Sequence, residues 1–467
     1  MGPTSSREQI EAYVNEVWPD YLRDLARLVA VPSVVDESAS APGAPWGPGC
    51  REALDVAMDI AERQGLIVGD CDGALAYGDL PGETGEQVAT IAHVDVVPAG
   101  EGWDVEPFAV TRRDGVLLGR GVLDDKGAAV ASLYAAGYLA RRATSGRPFR
   151  RSLRCLLGAS EEAGMMDVRC YLASHEPPSF LFTPDAEFPV CCGEKGCVNA
   201  EVSHAVDPTG VIASLSGGVA RNAVPARAEA VLRVDSHELP EAEDVDVTPA
   251  GAGVSRVVAH GVAGHAAEPA GAVNAIGVLA SYLLGTGRLV PSEREFVSFC
   301  ARAVCSWDGS GLGIEASDEL FGPLTCVGGM LWTREGRFAL TLDVRLPAAA
   351  GVEGVCSGLE RAGSEHGCEV LITHTRQTFS IDPGSGEVMA LRRAYEEFSG
   401  REATPFAIGG GTYAHHFPSA VGFGPLDRSE PLPDWAGPEH GPNEGVWEHQ
   451  LKRALAIYIR ALEGLLA

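Results

Sequence analysis

The chain has 467 residues, of which 45% are hydrophobic and 21% charged, the composition of a globular protein with about two or three domains. Its formal net charge of -28 argues against a nucleic-acid partner and against binding to an anionic membrane surface, because both require a basic face. We therefore expect neither a nucleic acid nor a membrane as a partner.

The amino-terminal residues and the cysteines point to a cytoplasmic protein. The first residues, MGPTSSREQIEAYVNEVW, lack the basic start and the apolar core of a secretory signal. The chain contains no run of about 20 apolar residues, the length that a helix needs to span a bilayer. The twelve cysteines include no CxxC pair, which favours reduced, packed thiols over a disulfide framework or a zinc cluster of cysteines.

The first part of the chain alternates predicted helices and apolar strands. Residues 5–29 have the apolar spacing of an amphipathic helix, and Ser5 and Glu8 are predicted to form its capping box. Further helices are predicted over 51–66, 127–143 and 167–174, and strands over 87–97, 152–160 and 180–185. Apolar strands between helices are typical of an α/β layer with a mostly parallel sheet.

After about residue 190 the pattern changes to one of alternating strands. Antiparallel strands are predicted over 228–236, 253–262 and 336–346, with a helix over 274–285. From about residue 385 the α/β pattern returns and closes with a helix over 451–466. The sequence thus predicts an α/β domain with a mixed, largely parallel sheet, built from residues 1–190 and 385–467, and an inserted α+β domain over 191–384.

Acidic residues and a histidine follow three of the predicted strands. His93 and Asp95 follow the first strand, Glu161 and Glu162 the second, and Asp185 the third. In open α/β sheets, ligands bind beyond the carboxyl ends of the strands. These side chains are therefore expected to share one crevice.

Two further motifs add ligand-type residues. Asp124 and Asp125 precede a predicted helix, whose positive dipole end tolerates negative charge, and His440 lies in GPEHGPNE. Taken singly, these motifs also fit a helix start, a solvated loop and a loop histidine. Together they predict a metal site, since gathered carboxylates are costly without a cation, and histidine favours a zinc-like ion over magnesium or calcium.

Motifs along the whole chain resemble the dinuclear zinc dipeptidases and aminoacylases, a carnosinase-like metallopeptidase family, and within it the bacterial PepV-type dipeptidases. The first part contributes HVDVVPAGEGWDVEPF, GRGVLDDKGA, SEEAG and TPDAEFPV. The middle contributes GGVARNAVPA, GHAAEPAGAVNA and DVRLP, and the last part GGGTYA and HGPNE. Several of these motifs are long, and they stand in the family's order.

The resemblance implies two zinc ions, with manganese or cobalt able to support activity. It also implies a cis peptide bond between Asp124 and Asp125. The metal ligands would be Asp124 between the two ions, His93 and Asp185 on one ion, and Glu162 and His440 on the other.

The resemblance further implies catalytic roles. Glu161 would be the general base that takes a proton from water and returns it to the leaving amine. Asp95 would orient His93 by accepting a hydrogen bond from its outer nitrogen. The inserted domain resembles the family's lid, from which His265 would stabilise the oxyanion of the reaction.

The same resemblance implies substrate-binding residues. Asn222 and Arg345 would bind the carbonyl or the terminal carboxylate of the substrate, and a guanidinium suits a carboxylate. Gly410, in the glycine run before Thr412, would let backbone groups approach the substrate closely.

The implied protein is a monomeric dipeptidase that hydrolyses short peptides with a free amino terminus through a water activated by two metals. The alternative is an N-acyl-amino-acid deacylase with the same dinuclear site, although the long lid favours the dipeptidase. An aminopeptidase for longer peptides and a non-catalytic metal-binding protein are further alternatives. A nucleotide-binding protein is not expected, because LSGG at 215–218 has no GxxxxGK[ST] loop to accompany it.

Overall fold

The computed structural model describes residues 4–146 and 148–467. The chain divides into two compact units. The first takes in the chain up to Cys192, together with Ile381–Phe406 and Gly411–Ala467, and the second consists of Gly193–Ser380 and Ala407–Gly410. Residues 407–410, which follow the predicted inserted segment in sequence, thus belong to the second unit.

The described helices include the six that the sequence predicts, near their predicted positions, and three in segments where no helix was predicted. They are α1 (Arg7–Val29), α2 (Pro48–Arg63), α3 (Lys126–Ser145), α4 (Met166–Leu172), α5 (Ala275–Gly285), α6 (Pro291–Val304), α7 (Val352–Glu365), α8 (Gly386–Ser399) and α9 (Glu448–Leu465). The predicted capping box of α1 is wrong by one residue, since Ser6 pairs with Gln9. Ser5 is instead buried and donates its hydroxyl to Glu463, 2.6 Å away in α9. None of the described helices is long and apolar enough to cross a membrane.

Strands occur throughout the chain. Before residue 190 they are β1 (Ile67–Asp70), β2 (Leu75–Leu80), β3 (Gln87–His93), β4 (Thr111–Arg113), β5 (Val116–Leu118), β6 (Ser152–Gly158), β7 (Phe180–Thr183) and β8 (Ala186–Glu187). The middle part contains β9 (Cys191–Glu194), β10 (Gly196–Ala205), β11 (Ile212–Gly217), β12 (Ala223–Val224), β13 (Arg227–Leu232), β14 (Val245–Gly251), β15 (Val254–His260), β16 (Gly264–His265), β17 (Ser317–Asp318), β18 (Gly322–Pro323), β19 (Thr325–Arg334), β20 (Arg337–Leu346), β21 (Glu369–Arg376) and β22 (Phe379–Ser380). The last strands are β23 (Phe406–Ile408), β24 (Ala420–Gly422), β25 (Pro425–Leu426) and β26 (Gly445–Trp447).

The main sheet of the first unit is mixed and has a parallel core, as predicted. Its strands follow the order β1-β2-β6-β3-β7-β24. The four strands β6, β3, β7 and β24 are mutually parallel, whereas β2 is antiparallel to both of its neighbours. Since β6, β3 and β7 are adjacent and parallel, their carboxyl ends meet at one edge of the sheet.

The helices of the first unit bury the two faces of this sheet in one hydrophobic core. Helix α3 is buried at every residue from Lys126 to Ala140, which explains why its sequence is apolar on all sides rather than along one stripe. The antiparallel edge strands β1 and β2 were not predicted. Strand β1 is half exposed, so it lacks the apolar run by which the central strands are recognised.

The second unit is an α+β structure with its own hydrophobic core. Its sheet is entirely antiparallel, in the order β14-β15-β13-β11-β19-β20-β10-β21. Helices α5, α6 and α7 pack against this sheet. A separate two-stranded ribbon pairs β12 with β16.

Candidate metal centre

The carboxylate of Asp124 lies between two histidines. Its Oδ1 is 2.9 Å from Nε2 of His93, and its Oδ2 is 2.9 Å from Nε2 of His440. Asp185 Oδ2 lies 3.7 Å from the same nitrogen of His93, and Glu162 Oε1 lies 3.0 Å from that of His440. The five predicted ligands therefore form two groups that share Asp124, and the ligand atoms within each group lie within 4.8 Å of one another.

The sheet explains how residues distant in sequence meet here. His93 is the last residue of β3, the loop with Glu161 and Glu162 follows β6, and Asp185 follows β7. The register places His93 directly opposite Gly158 at the end of β6. Parallel strands bring their carboxyl ends to the same edge, so three sequence-predicted segments converge through the topology alone.

The fourth segment reaches the site through the loop before α3. The peptide bond between Asp124 and Asp125 is cis, which confirms the expectation from the resemblance. Asp125 is buried, and its Oδ2 accepts a hydrogen bond from the backbone amide of His93 at 3.2 Å. The start of α3 is thereby attached to the end of β3.

Asp95 holds the loop that carries the two glutamates. Its Oδ1 accepts a hydrogen bond from the amide of Glu161 at 3.2 Å, and its Oδ2 accepts one from the amide of Glu162 at 3.1 Å. Nδ1 of His93 is 3.0 Å from the backbone oxygen of Asp95 but 3.5 Å from its carboxylate. The outer nitrogen of His93 thus has the carbonyl of Asp95 as its nearer acceptor, while the carboxylate positions the glutamate loop.

A second buried carboxylate, Asp167 of α4, supports the same loop. Its Oδ2 accepts hydrogen bonds from the amides of Ala159 and Ser160, at 2.7 and 3.0 Å, and from the hydroxyl of Tyr413 at 2.6 Å. Burial raises the pKa of Asp167 to about 6, although the hydroxyl of Tyr413 lowers it. A side chain at Gly158 would come within 2.0 Å of that hydroxyl, so this position accepts only glycine.

The electrostatics of the two ligand groups call for added positive charge. Burial, reinforced by the charge of Asp124, raises the pKa of Asp185 to about 7. Burial and the charge of Asp185 also raise the pKa of Glu161. Hydrogen bonds to Asp124 and Glu162 raise the pKa of His440 to about 10. The raised pKa values mean that these groups bind protons more readily, because several negative charges lie close together and partly buried. Divalent cations would neutralise the same carboxylates. Imidazole nitrogens together with carboxylate oxygens suit transition metals, so the donor set fits such ions.

Two of the predicted residues in the second unit are neighbours. Ala223 in β12 pairs with His265 in β16, and the amide of Ala266 donates to the carbonyl of Asn222 at 2.9 Å. Asn222 and His265 are both exposed. The ribbon of β12 and β16 thus presents both side chains on the surface of this unit.

The other predicted substrate-binding residues have partners within their own units. Arg345 donates from Nε and Nη2 to the carboxylate of Asp343, at 2.6 and 2.9 Å, and from Nη1 to the carbonyl of Gly409 at 3.2 Å. The carbonyl of Gly410 accepts a hydrogen bond from an arginine of β21 at 2.8 Å. Thr412 belongs to the first unit, where its hydroxyl caps the turn that follows.

Sequence reasoning missed four residues that support the predicted ligands. Three of them stand inside quoted motifs, which gave a signal that was not used, and the fourth follows SEEAG by three residues. They are Arg120 in GRGVLDDKGA, Tyr413 in GGGTYA, Glu444 at the end of HGPNE, and Asp167.

Comparison with known proteins places these observations in a family context. Residues 89–464 match the model of Peptidase family M20/M25/M40. The chain is 30% identical over 460 residues to "Putative dipeptidase YtjP" of Bacillus subtilis, covering 95% of this chain and 96% of that protein. It is also 30% identical over 485 residues to a protein of the same description from Staphylococcus haemolyticus, covering 98% and 99%.

Solved structures show the same fold at much lower identity. Human carnosine dipeptidase 1 matches with a TM-score of 0.56 and 15% identity, over 99% of this chain and 100% of that one. Aminoacylhistidine dipeptidase from Vibrio alginolyticus matches with a TM-score of 0.58 and 14% identity, over 95% and 96%. At these identities the likeness is one of fold.

Proposed function

Because the chain belongs to peptidase family M20/M25/M40, we propose that it is a metal-dependent dipeptidase that cleaves short peptides with a free amino terminus. The observation that carries this proposal is the carboxylate of Asp124, each oxygen of which lies 2.9 Å from a different histidine. A carboxylate shared by two ligand groups suits a pair of metal ions about 3.5–4 Å apart. The names of the two relatives at 30% identity agree with a dipeptidase.

The finer assignment is a PepV-type enzyme with two zinc ions, for which manganese or cobalt can substitute. Its support is the mixture of imidazole and carboxylate ligands, which suits zinc better than magnesium or calcium. When bound, the two ions would lower the pKa of a water molecule and polarise the scissile carbonyl.

The residues of the chain then supply positioning and proton transfer. We assign Glu161 as the general base, which accepts a proton from the attacking water on its carboxylate and delivers it to the leaving amine. Burial is the largest cause of the raised pKa of Glu161, and a base whose pKa lies closer to neutral suits both halves of this transfer. The carboxylate of Asp95 keeps the backbone of Glu161 in place.

We propose that the second unit corresponds to the lid, for which the sequence predicts residues 191–384, and that the first unit corresponds to the catalytic domain, predicted over 1–190 and 385–467. His265 would stabilise the oxyanion, and Asn222 would assist it. Their position side by side on an exposed ribbon supports this pairing. Arg345, Gly410 and Thr412 would contact the rest of the substrate.

We propose a monomer in the cytoplasm whose partner is the peptide substrate. The long lid would supply His265 from the same chain, so that no second subunit would be needed. Cys50 and Cys155 are buried, and burial raises the pKa of each thiol to about 12, so both are unreactive packing residues that suit a reducing compartment.

The test is hydrolysis of a free dipeptide beside its N-acetylated counterpart, with and without added zinc or manganese. Cleavage of the free dipeptide alone, dependent on metal, is the expected result. Preference for the acetylated compound would instead assign the protein to the N-acyl-amino-acid deacylases, with the same metal chemistry. Cleavage of neither compound by the metal-loaded protein would refute the proposal.

A variant tests the base separately. Glu161→Ala is expected to abolish turnover while the protein still binds its metal ions, because Glu161 is not among the proposed ligands. Glu176→Ala is a matched control, since Glu176 is an exposed glutamate in the loop before β7. Normal turnover in Glu161→Ala, or loss of turnover in both variants, would overturn the base assignment.

A further inference from the structure

An ion pair between Arg120 and Glu444 contacts the loops that carry two of the proposed ligands, Asp124 and His440. Nη1 of Arg120 is 2.6 Å from Oε2 of Glu444, and the two side chains are 1% and 0% exposed. Desolvating two charges is costly, and replacing a buried pair with apolar side chains often leaves stability unchanged or improves it. A role beyond stability is therefore the better explanation for this pair.

The second oxygen of Glu444 organises the backbone that leads to Asp124. Oε1 accepts hydrogen bonds from the amides of Gly121 and Leu123, each at 3.0 Å, and from the amide of Asp124 at 3.2 Å. Three amides on one charged oxygen form a set of charge-assisted hydrogen bonds, the stronger kind. The segment before Asp124 is thus wrapped around one carboxylate.

Arg120 fixes the other loop. Its Nη2 donates to the carbonyls of His440 at 3.2 Å, Gly441 at 3.3 Å and Pro98 at 3.4 Å. His440 has a φ of 62°, in the left-handed region that residues other than glycine rarely occupy. Its side chain is 54% exposed, so side-chain packing contributes little to holding it. The contact with Arg120 therefore acts on a loop that needs an external constraint.

The two ligand groups consequently differ in how they are positioned. His93 ends a buried strand of the sheet and Asp185 follows another, so the sheet itself orients the first group. Asp124 and His440 lie on loops that meet through the ion pair of Arg120 and Glu444. The pair of charges therefore acts on the first group only through the shared Asp124, and on the second through both Asp124 and His440.

We infer that Arg120 and Glu444 are positioning residues that hold Asp124 and His440 at binding distance from one metal ion. When the pair is broken, both groups are disturbed at their shared ligand Asp124, but the group of Asp124, Glu162 and His440 loses more metal affinity because the pair positions two of its three ligands. This inference rests on the proposed function only in requiring that both ligand groups bind metal.

The test is calorimetric titration of the chelator-stripped full-length protein with zinc chloride. The wild type is expected to bind two ions. Glu444→Gln and Arg120→Met are each expected to bind one ion about 10–100-fold more weakly, the range typical of outer partners of metal ligands, and the other ion with a smaller loss of affinity. Titration with cobalt, followed by visible absorption, shows whether the coordination of the weakened ion has changed.

A matched control separates positioning from general stabilisation. Arg154 of β6 forms a bidentate ion pair with Asp79 of β2 in the same unit, with both nitrogen–oxygen distances at 2.7 Å. Arg154→Met breaks a comparable pair whose partners are not proposed ligands. It is expected to lower the unfolding temperature while leaving both zinc affinities unchanged.

The outcomes decide the inference in either direction. Equal weakening of both ions, unchanged affinity for both, or the same selective loss in Arg154→Met would overturn it, as would a wild type that binds fewer than two ions. If Glu444→Gln fails to fold, Arg120→Lys is titrated under the same criterion. A wild type that binds two ions but cleaves no dipeptide would refute the proposed function and leave this inference standing.

Discussion

Asp167 makes the stability of the protein depend on pH in a direction opposite to that of most carboxylates. It is completely buried, and burial raises its pKa to about 6, with the charge of Asp95 adding to the shift and the hydroxyl of Tyr413 opposing it. The ordinary pKa of an aspartate in an unfolded chain is about 3.9. Between these two values the folded protein holds a proton that the unfolded chain has released.

The sign and the size of the effect follow from this difference. Because the folded state binds more protons, the free energy of unfolding falls as pH rises from about 4 to about 6. A shift of about two pKa units corresponds to about 3 kcal/mol. The contribution of Asp167 is fully present below its unfolded pKa and is lost as the pH passes its folded pKa.

Asp167→Asn removes this titration. The variant loses one hydrogen-bond acceptor at every pH, which lowers its free energy of unfolding by roughly 1 kcal/mol. It also carries no buried negative charge at neutral pH, so it avoids the destabilisation that this charge causes in the wild type. The free energy of unfolding of the wild type, minus that of the variant, is therefore expected to fall by about 2 kcal/mol between pH 4 and pH 7, somewhat less than the full value of about 3 kcal/mol because the unfolded carboxyl is already about half ionised at pH 4.

The assay is urea denaturation of the chelator-treated protein, followed by circular dichroism at intervals of half a pH unit. Other titrating groups cancel in the difference between wild type and variant. Tyr413→Phe is the companion variant, because removing the hydroxyl takes away an interaction that lowers the pKa of Asp167 and should extend the loss of stability above pH 6. A difference between wild type and Asp167→Asn that changes by less than about 1 kcal/mol over this range would refute the reasoning.

Three further predictions concern the site and the core. Zinc at about 100 times its dissociation constant is expected to raise the free energy of unfolding by about 2.7 kcal/mol for each ion bound. Scanning calorimetry with zinc and with chelator measures this difference, and identical unfolding transitions would contradict the prediction. Asp95→Asn removes the hydrogen-bond acceptor of the amide of Glu161 or Glu162. The variant is expected to bind metal about 10–100-fold more weakly while its circular dichroism spectrum stays unchanged. Wild-type metal affinity in the variant would count against this role of Asp95. Phe182→Ala empties a buried position beside Phe423 and is expected to lower the unfolding free energy by about 3–5 kcal/mol in urea, and a loss below about 1 kcal/mol would contradict the packing.

Local patterns in the sequence determined which segments carry the site. The central strands β3, β6 and β7 are buried on both faces, so each is a short apolar run that can be recognised without knowing its neighbours. The polar residues that end these runs, such as His93 and Asp185, were therefore predicted to share one edge of the sheet. In the structure the side chains of His93 and Asp185 lie with that of Asp124 in one group of ligand-type residues.

Only the tertiary structure decided which groups hold these residues in place. Asp167 meets Tyr413 across 246 positions, and Arg120 meets Glu444 across 324. Even the capping box moved by one residue, since Ser5 is occupied by a glutamate 458 positions away. Periodicity and spacing report interactions over a few residues, whereas a buried carboxylate binds whichever amides and hydroxyls the folded chain brings within about 3 Å of it. For that reason the candidate ligands could be proposed from the sequence, whereas the residues that position them could not.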